Sequence, residues 1–288
     1  MRLACFRAGG RRQVGRLTAD GAALEPLDLG SAAEQGVLAL IGAARLPAAG
    51  TPIALDRVTL EAPVPRPVRN IFCVGKNYHE HALEFARSGF DSSAAGGAVP
   101  DHPIIFSKVP ECVVGPGRPI LVDAGVSTAI DYEAELAVVI GKGGRGIGRA
   151  AALDHVYGYT IVNDVTARDL QGRHKQWLLG KSQDSFCPMG PWLATADEID
   201  LRDTRVRCWV NDELRQDANT RQLIFDVPTL IATISAGLTL LPGDVIATGT
   251  PVGVGIGFDP PKYLQPGDRV RIEIGGIGVL ENPVQARP

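Results

Sequence analysis

Hydrophobic positions along this chain recur mostly at alternate residues, the spacing of β-strands, and few windows carry the wider period of a helix. The clearest strand pattern spans 130–140. Ile130, Tyr132, Ala134, Leu136, Val138 and Ile140 make one continuous apolar face, and Glu133 and Glu135 stand together on the other. That other face continues as Ala137 and Val139, so it is no ordinary solvated face. Further strands are predicted at 2–6 and 13–17, flanking a Gly9-Gly10 hairpin turn, and at 71–74, 103–108 and 157–164. Another, 206–210, returns through Asn211-Asp212 into 214–216, and turn-then-strand units begin at Pro242 and Pro266. Helical composition is confined to 31–44 with Ser31 as candidate N-cap, to 78–86, to a short 149–155, and to 226–236, an amphipathic helix with Pro228 in its first turn. Cys187-Pro-Met-Gly-Pro-Trp192 reads as a turn.

The proline-dense run from Pro63 to Val68 can form neither a helix interior nor a central strand. It marks a boundary between a small N-terminal α/β domain, 1–65, and a larger domain, 66–288. The fold class expected is α+β, predominantly β. Residues 88–102, rich in Gly, Ala, Ser and Asp, have loop composition and could form part of a lid. Gly141-Lys-Gly-Gly-Arg-Gly146 satisfies G-x-G-x-x-G, but a dinucleotide site needs an apolar parallel strand and a full crossover helix. Here the strand carries two glutamates and the next helical stretch is very short, so a tight glycine turn is expected. In the glycine-rich stretch 248–255, backbone amides and the Thr250 hydroxyl could receive a substrate oxyanion or carboxylate.

The 288 residues are 45% hydrophobic and 21% charged, with a net charge of −3. That balance describes a globular protein without a basic face for nucleic acid or a polybasic membrane patch. Apolar stretches fall well short of the ~20 residues a membrane helix needs. Arg2 and Arg7 leave no room for a signal-peptide core, which points to a cytoplasmic protein. Five cysteines at scattered spacing fit neither a disulfide framework nor a zinc knuckle and are expected to be reduced and mostly buried.

The chemistry gathers around the acids. Two carboxylates side by side in a half-apolar setting repel each other, and a divalent cation that prefers hard oxygen, Mg²⁺, Mn²⁺ or Ca²⁺, removes the conflict. The alternative is a surface strand with two solvated acids. Asp164, closing the strand 157–164, supplies a third carboxylate, with Arg168, Gln171 and Lys181 behind it as donors for an anionic substrate. His81 and Glu84 are three apart and share one face of their helix. A carboxylate holding an imidazole fixes its tautomer and raises its basicity, as a general base requires, although such a pair more often lies on a solvated face. His79 falls off that face and reads as surface.

Taken together, these pieces resemble the fumarylacetoacetate hydrolase family from about Ile71 to the C-terminus, near its acylpyruvate hydrolase and 2-hydroxyhepta-2,4-diene-1,7-dioate isomerase branch. Five motifs in order carry the resemblance: Gly75-x-Asn-Tyr-x-x-His81-x-x-Glu84, Tyr132-Glu-x-Glu135-Leu, Asn163-Asp-x-Thr-Ala-Arg-Asp, Gly180-Lys-Ser, and Thr248-Gly-Thr-Pro-x-Gly-Val-Gly. The resemblance implies a mixed β-sandwich roll, a homodimer, and Mg²⁺ or Mn²⁺ on Glu133, Glu135 and Asp164. It implies a water-activating pair at His81 and Glu84 with Lys181 beside it, and substrate contacts at Gln171, Thr250 and, less definitely, Arg168. Gln183 stands where many relatives have Phe. The activity implied is hydrolysis of a C–C bond in a β-diketo acid of the acylpyruvate or fumarylpyruvate type, with a small anionic keto acid as the partner. Alternatives are an oxaloacetate-type decarboxylase, a hydroxymuconate-type keto–enol isomerase and, outside the family, a non-catalytic metal- or ligand-binding β protein.

Overall fold

The computed structural model describes residues 1–87 and 99–288. It opens with the hairpin the alternation predicts, β1 (Arg2–Ala8) and β2 (Arg11–Leu17), turned by Gly9 and Gly10 at φ 56° and 78°. Glycine takes that left-handed conformation without strain. Short strands β3 (Ala23–Pro26), β4 (Ile53–Ala54) and β5 (Thr59–Glu61) follow. Next come β6 (Ile71–Gly75), α1 (His79–Arg87), β7 (Ile104–Lys108), β8 (Val113–Val114), β9 (Ile120–Val122), β10 (Ile130–Asp131) and β11 (Ala134–Ile140). The middle of the chain supplies β12 (Val156–Asn163), β13 (Thr166–Ala167), α2 (Arg168–His174), α3 (Leu178–Lys181) and β14 (Cys187–Thr195). It ends with β15 (Arg205–Val210), β16 (Glu213–Asn219), α4 (Val227–Gly237), β17 (Val245–Ala247), β18 (Arg269–Ile274) and β19 (Gly278–Ala286).

The architecture is α+β and mostly β, in mixed sheets. A large sheet runs β4-β3-β2-β1-β14-β12-β11-β17-β6-β7, with β5 against β1 and β8 against β14. A second sheet runs β16-β15-β18-β19-β9, and β10 pairs with β13 apart from both. Strand β1 pairs with β14, so the opening hairpin continues the sheet that carries β11.

Strand β11 is buried along its whole length. Its even face, from Ile130 to Ile140, packs with Val206, Ile272 and Leu280 of the second sheet and with Ile231 of α4. Its odd residues Ala137 and Val139 join a different core with Leu3, Val14 and Val37. Apolar layers on both faces explain why acids on the odd face are shielded from water.

Three expectations change. The strand 130–140 is interrupted at Tyr132 and Glu133, because the Glu133 amide turns to the Asn163 side chain (3.0 Å) and the Ala134 amide to that of Gln216 (3.1 Å). The helix over 31–44 is a 3₁₀ segment, Gly30–Leu40, without a side-chain cap from Ser31. It kinks at Gly36 (φ 64°), where a Cβ would stand 2.4 Å from Pro65 Cδ and the next amide, Val37, bonds Pro63 O. The proline connector thus crosses this segment and breaks the helix. Residues 187–192 are not a turn but part of β14; Pro191 falls in the register shift against β12, where no ladder donor is demanded of it. The glycine run 141–146 leaves β11 in bends, and a 3₁₀ segment, Arg149–His155, follows before the antiparallel β12, so the run lacks the parallel crossover of a dinucleotide fold. Of the proposed lid, 88–98 lie outside the described residues. Among those described, no helix is long and apolar enough to cross a membrane.

Candidate active site

Three acids converge because of how the central strands pair. Antiparallel register places Ala134 opposite Asn163, which sets Glu133 beside Asp164, and the Asp164 amide bonds Glu133 O at 2.9 Å. Glu135 follows two residues along the same face. One oxygen from each of Glu133, Glu135 and Asp164 lies within 4.8 Å of the others, and all three residues are buried.

Their electrostatics are uneven. Burial opposes the charge on Glu133, but Lys181, Arg168 and His81 outweigh it and hold the carboxyl at about 2. Glu135 is driven the other way, by burial and then by the negative Asp164 and Glu133. Lys181 Nζ lies 2.9 Å from Glu133 Oε2 and 2.8 Å from Asp164 Oδ2, so an ammonium already serves as a cation between two of the acids. Glu135 Oε2 accepts from the Gly249 amide at 2.7 Å. Hard oxygen donors that already take a cation between them, with a third raised by its neighbours' charge, fit a divalent ion, and the triad can hold one.

Helix α1 brings the second group. His81 Nδ1 is 3.1 Å from Glu84 Oε2, an i,i+3 pair on its inner face, while His79 is exposed. Glu84 is fixed in turn by the Gly253 amide, 3.0 Å from Oε1. Gly257 leaves it room, since a Cβ there would fall 2.0 Å from Glu84 Oε1.

His81, Glu133, Arg168, Gln171, Lys181 and Thr250 line one cavity. Glu84, Glu135 and Asp164 stand behind them. The nine residues singled out in the sequence therefore gather at one place, walled by Phe85, Phe106 and Trp177, whose rings meet edge-on at Trp177. Arg168 is buried, with Nε 2.8 Å from Asp131 Oδ2 and Nη1 2.7 Å from Glu133 Oε1 and 3.1 Å from Gln171 Oε1. Among the described residues its buried Nη2 has no hydrogen-bond partner, a donor on a residue that lines the cavity. The Thr250 hydroxyl accepts from Gln216 Nε2 at 2.8 Å.

The glycine-rich loop does something other than expected. Its amides go to the chain's own carboxylates: Gly249 to Glu135, Gly253 to Glu84, and Gly255 (2.6 Å) and Ile256 (3.0 Å) to Asp131. These four amides are occupied in positioning acids, and Thr250 of the same loop lines the cavity.

Three residues escaped the sequence reading. Lys108, at the end of β7, is fully buried and bonds Asp164 Oδ1 at 2.7 Å and the Lys181 carbonyl. Asp131 orients Arg168; it lies on the same odd-numbered face as Glu133 and Glu135, a signal already present in the alternation. Lys76, next to the Gly75 turn, lines the cavity, and its type and place carried no signal.

Residues 70–285 match the family model described as fumarylacetoacetate (FAA) hydrolase, C-terminal. The chain is 49% identical over 232 residues to oxaloacetate tautomerase YisK of Bacillus subtilis, covering 80% of this chain and 74% of that protein. It is 45% identical over 255 residues to the human mitochondrial oxaloacetate tautomerase FAHD2A, covering 87% and 77%. Among solved structures it resembles fumarylacetoacetate hydrolase from the psychrophile Exiguobacterium antarcticum, with TM-score 0.85, 41% identity and full coverage of both chains. It also resembles maleylpyruvate hydrolase from Sphingobium sp. SYK-6, a complex with manganese(II) and pyruvate, with TM-score 0.78, 33% identity and full coverage of both.

Proposed function

Because the chain belongs to the fumarylacetoacetate hydrolase family, we propose that it is a metal-dependent keto–enol tautomerase of a small 2-oxo acid of the oxaloacetate type. The observation that carries this reading is one cavity lined by His81, Glu133 and Lys181, behind which the rest of a buried triad of acids and the glutamate of a His–Glu pair stand.

Glu133, Glu135 and Asp164 would hold Mg²⁺ or Mn²⁺, whose charge polarises a substrate carbonyl. Tautomerisation moves one proton between C3 and the oxygen on C2. With Nδ1–H donated to Glu84, His81 keeps a lone pair on Nε2, and His81 lines the cavity, so it takes the C3 proton and, as the imidazolium, returns it to the C2 oxygen, with the reverse order for the enol. Lys181 compensates the negative charge that builds on the C2 oxygen as the proton leaves. Arg168 Nη2, with Gln171 and Thr250 near it, binds a substrate carboxylate. Phe85, Phe106 and Trp177 limit the water that could intercept the enol form.

Hydrolytic C–C cleavage, the first expectation from the sequence, would use the same pair on a water molecule. It has less support, since the relatives at 49% and 45% identity bear tautomerase names and the hydrolase neighbours stand at 41% and 33%. The experiment that separates the readings follows enol absorbance of oxaloacetate with Mg²⁺ or Mn²⁺, with EDTA controls and a parallel assay for released pyruvate. Acylpyruvates and fumarylpyruvate are run beside it. Metal-dependent loss of the enol without pyruvate is expected. Cleavage of the acylpyruvates at comparable efficiency would return the hydrolase, and pyruvate released from oxaloacetate the decarboxylase.

A further inference from the structure

We propose that Gln216 is a positioning residue for substrate binding: it fixes the Thr250 hydroxyl as a hydrogen-bond donor into the cavity, for a carboxylate oxygen of the substrate. The inference rests on the oxo-acid reading above and adds the residue that sets the polarity of that hydroxyl.

Strand β16 reads as a polar return, Glu213-Leu-Arg-Gln-Asp-Ala-Asn219, and Gln216 is its one buried residue, with none of its surface exposed. A buried amide is costly unless its oxygen and its nitrogen both find partners. Those of Gln216 do. Its Oε1 accepts from the Ala134 amide (3.1 Å), and its Nε2 donates to the Pro251 carbonyl and to Thr250 Oγ1, both at 2.8 Å. The two ends of a side-chain amide have the same shape, and only their partners tell them apart. Here the partners leave no choice, because a backbone N–H only donates and a carbonyl only accepts. The nitrogen therefore faces Thr250, and the bond between them runs from Gln216 to the hydroxyl oxygen.

A hydroxyl has a single proton to give and accepts through its oxygen. With its oxygen turned to Gln216, Thr250 keeps that proton for the cavity it lines, and among the described residues the hydroxyl makes no other hydrogen bond. The backbone around it is held on both sides, by the Gly249 amide on Glu135 (2.7 Å) and by the Pro251 carbonyl on Gln216. Gly253 lets the loop lie against β16, since at φ 100° a Cβ there would run into the Arg215 carbonyl. Gln216 itself does not line the cavity, so it acts on a ligand through Thr250. A hydroxyl so directed suits a group that only accepts. A carboxylate oxygen is such a group, whereas an ammonium or an amide N–H is not.

The probe is oxalate, an unreactive dianion, titrated calorimetrically into protein kept in excess Mg²⁺. Thr250→Val keeps the shape and removes the hydroxyl; Gln216→Met keeps the length and removes the amide. Each is expected to bind oxalate on the order of 10-fold more weakly, the size of one hydrogen bond to a charged group, whereas Thr250→Ser stays near wild type. The double variant binds no more weakly than Thr250→Val, because Gln216 acts through the hydroxyl. With oxaloacetate, Gln216→Met raises KM by a similar factor and leaves kcat largely intact. Mg²⁺ titration of each variant reports that the metal site is folded. If Gln216→Met fails that check, Gln216→Asn, whose amide is too short to reach the hydroxyl, replaces it in the cycle. A Thr250→Val variant that binds oxalate like wild type overturns the proposal. So does a loss on replacing Gln216 that persists undiminished in the Thr250→Val background, which marks a purely structural role. If the wild type does not tautomerise oxaloacetate while the oxalate cycle behaves as expected, the tautomerase reading fails and the assignment of Gln216 stands.

Discussion

Glu133 and Glu135 sit two residues apart, yet their surroundings push them in opposite directions. Burial acts on both, but Lys181 and Arg168 surround the first, and Asp164 and Glu133 face the second. Glu135→Gln, a neutral isostere, is therefore expected to fold with a melting temperature no lower than wild type in EDTA, and to lose the rise that Mn²⁺ produces. At a hundredfold excess over its dissociation constant, a ligand adds about 2.7 kcal/mol, enough to see in a thermal melt. A Mn²⁺ response like that of wild type would remove Glu135 from the ligand set. His81→Ala should behave inversely, keeping the Mn²⁺ response while losing about 10²- to 10⁴-fold in tautomerase rate. Undiminished turnover in that variant would sink the proton-transfer role of His81.

Among the elements, the loop between β17 and the Gly255–Gly257 turn couples the two halves of the site, since its amides hold Glu135, Glu84 and Asp131 in turn. Gly257→Ala, which puts a methyl 2.0 Å from Glu84 Oε1, should displace that carboxylate, lowering kcat while Mn²⁺ affinity holds. A normal kcat would show that Glu84 is not needed where it lies. Helix α4 offers a separate check. Asp226 caps it, accepting from the Thr229 amide at 2.9 Å. Burial opposes ionisation of Asp226, and its bonds to Thr229 with the nearby Arg149 outweigh that and lower its pKa. A lowered carboxyl stabilises the fold above the ordinary aspartate value of about 3.9 and stops doing so as pH falls through the folded value. Asp226→Ala should cost about 1 kcal/mol at pH 7 and a smaller amount near pH 3, read from urea midpoints; an equal cost at both would contradict the capping account. Alternation in 130–140 foretold both faces of β11 because each face meets a core. It failed at 31–44 and 187–192, where the deciding contacts, Pro65 on Gly36 and β12 against Pro191, come from distant parts of the chain.

For the molecule as a whole, the five motifs in order carry nine residues that gather at one place, because each motif sits at an end of a strand or helix of the same sheet system. Lys76 and Lys108 were not legible as parts of the site, since a buried lysine looks like a surface one until its partners are known, whereas Asp131 shared the odd-numbered face of Glu133 and Glu135 and was legible there. The reaction itself was the least legible feature. One triad and one His–Glu pair serve cleavage and tautomerisation alike, and the difference lies in which molecule the cavity accepts. The most direct test is therefore exchange of the C3 hydrogens of oxaloacetate with D₂O, followed by proton NMR with Mg²⁺-loaded and EDTA-treated protein. Mg²⁺-dependent acceleration of exchange with the carbon skeleton intact, lost in His81→Ala, is the expected result. Exchange no faster than in buffer, or pyruvate appearing in step with it, would contradict the account.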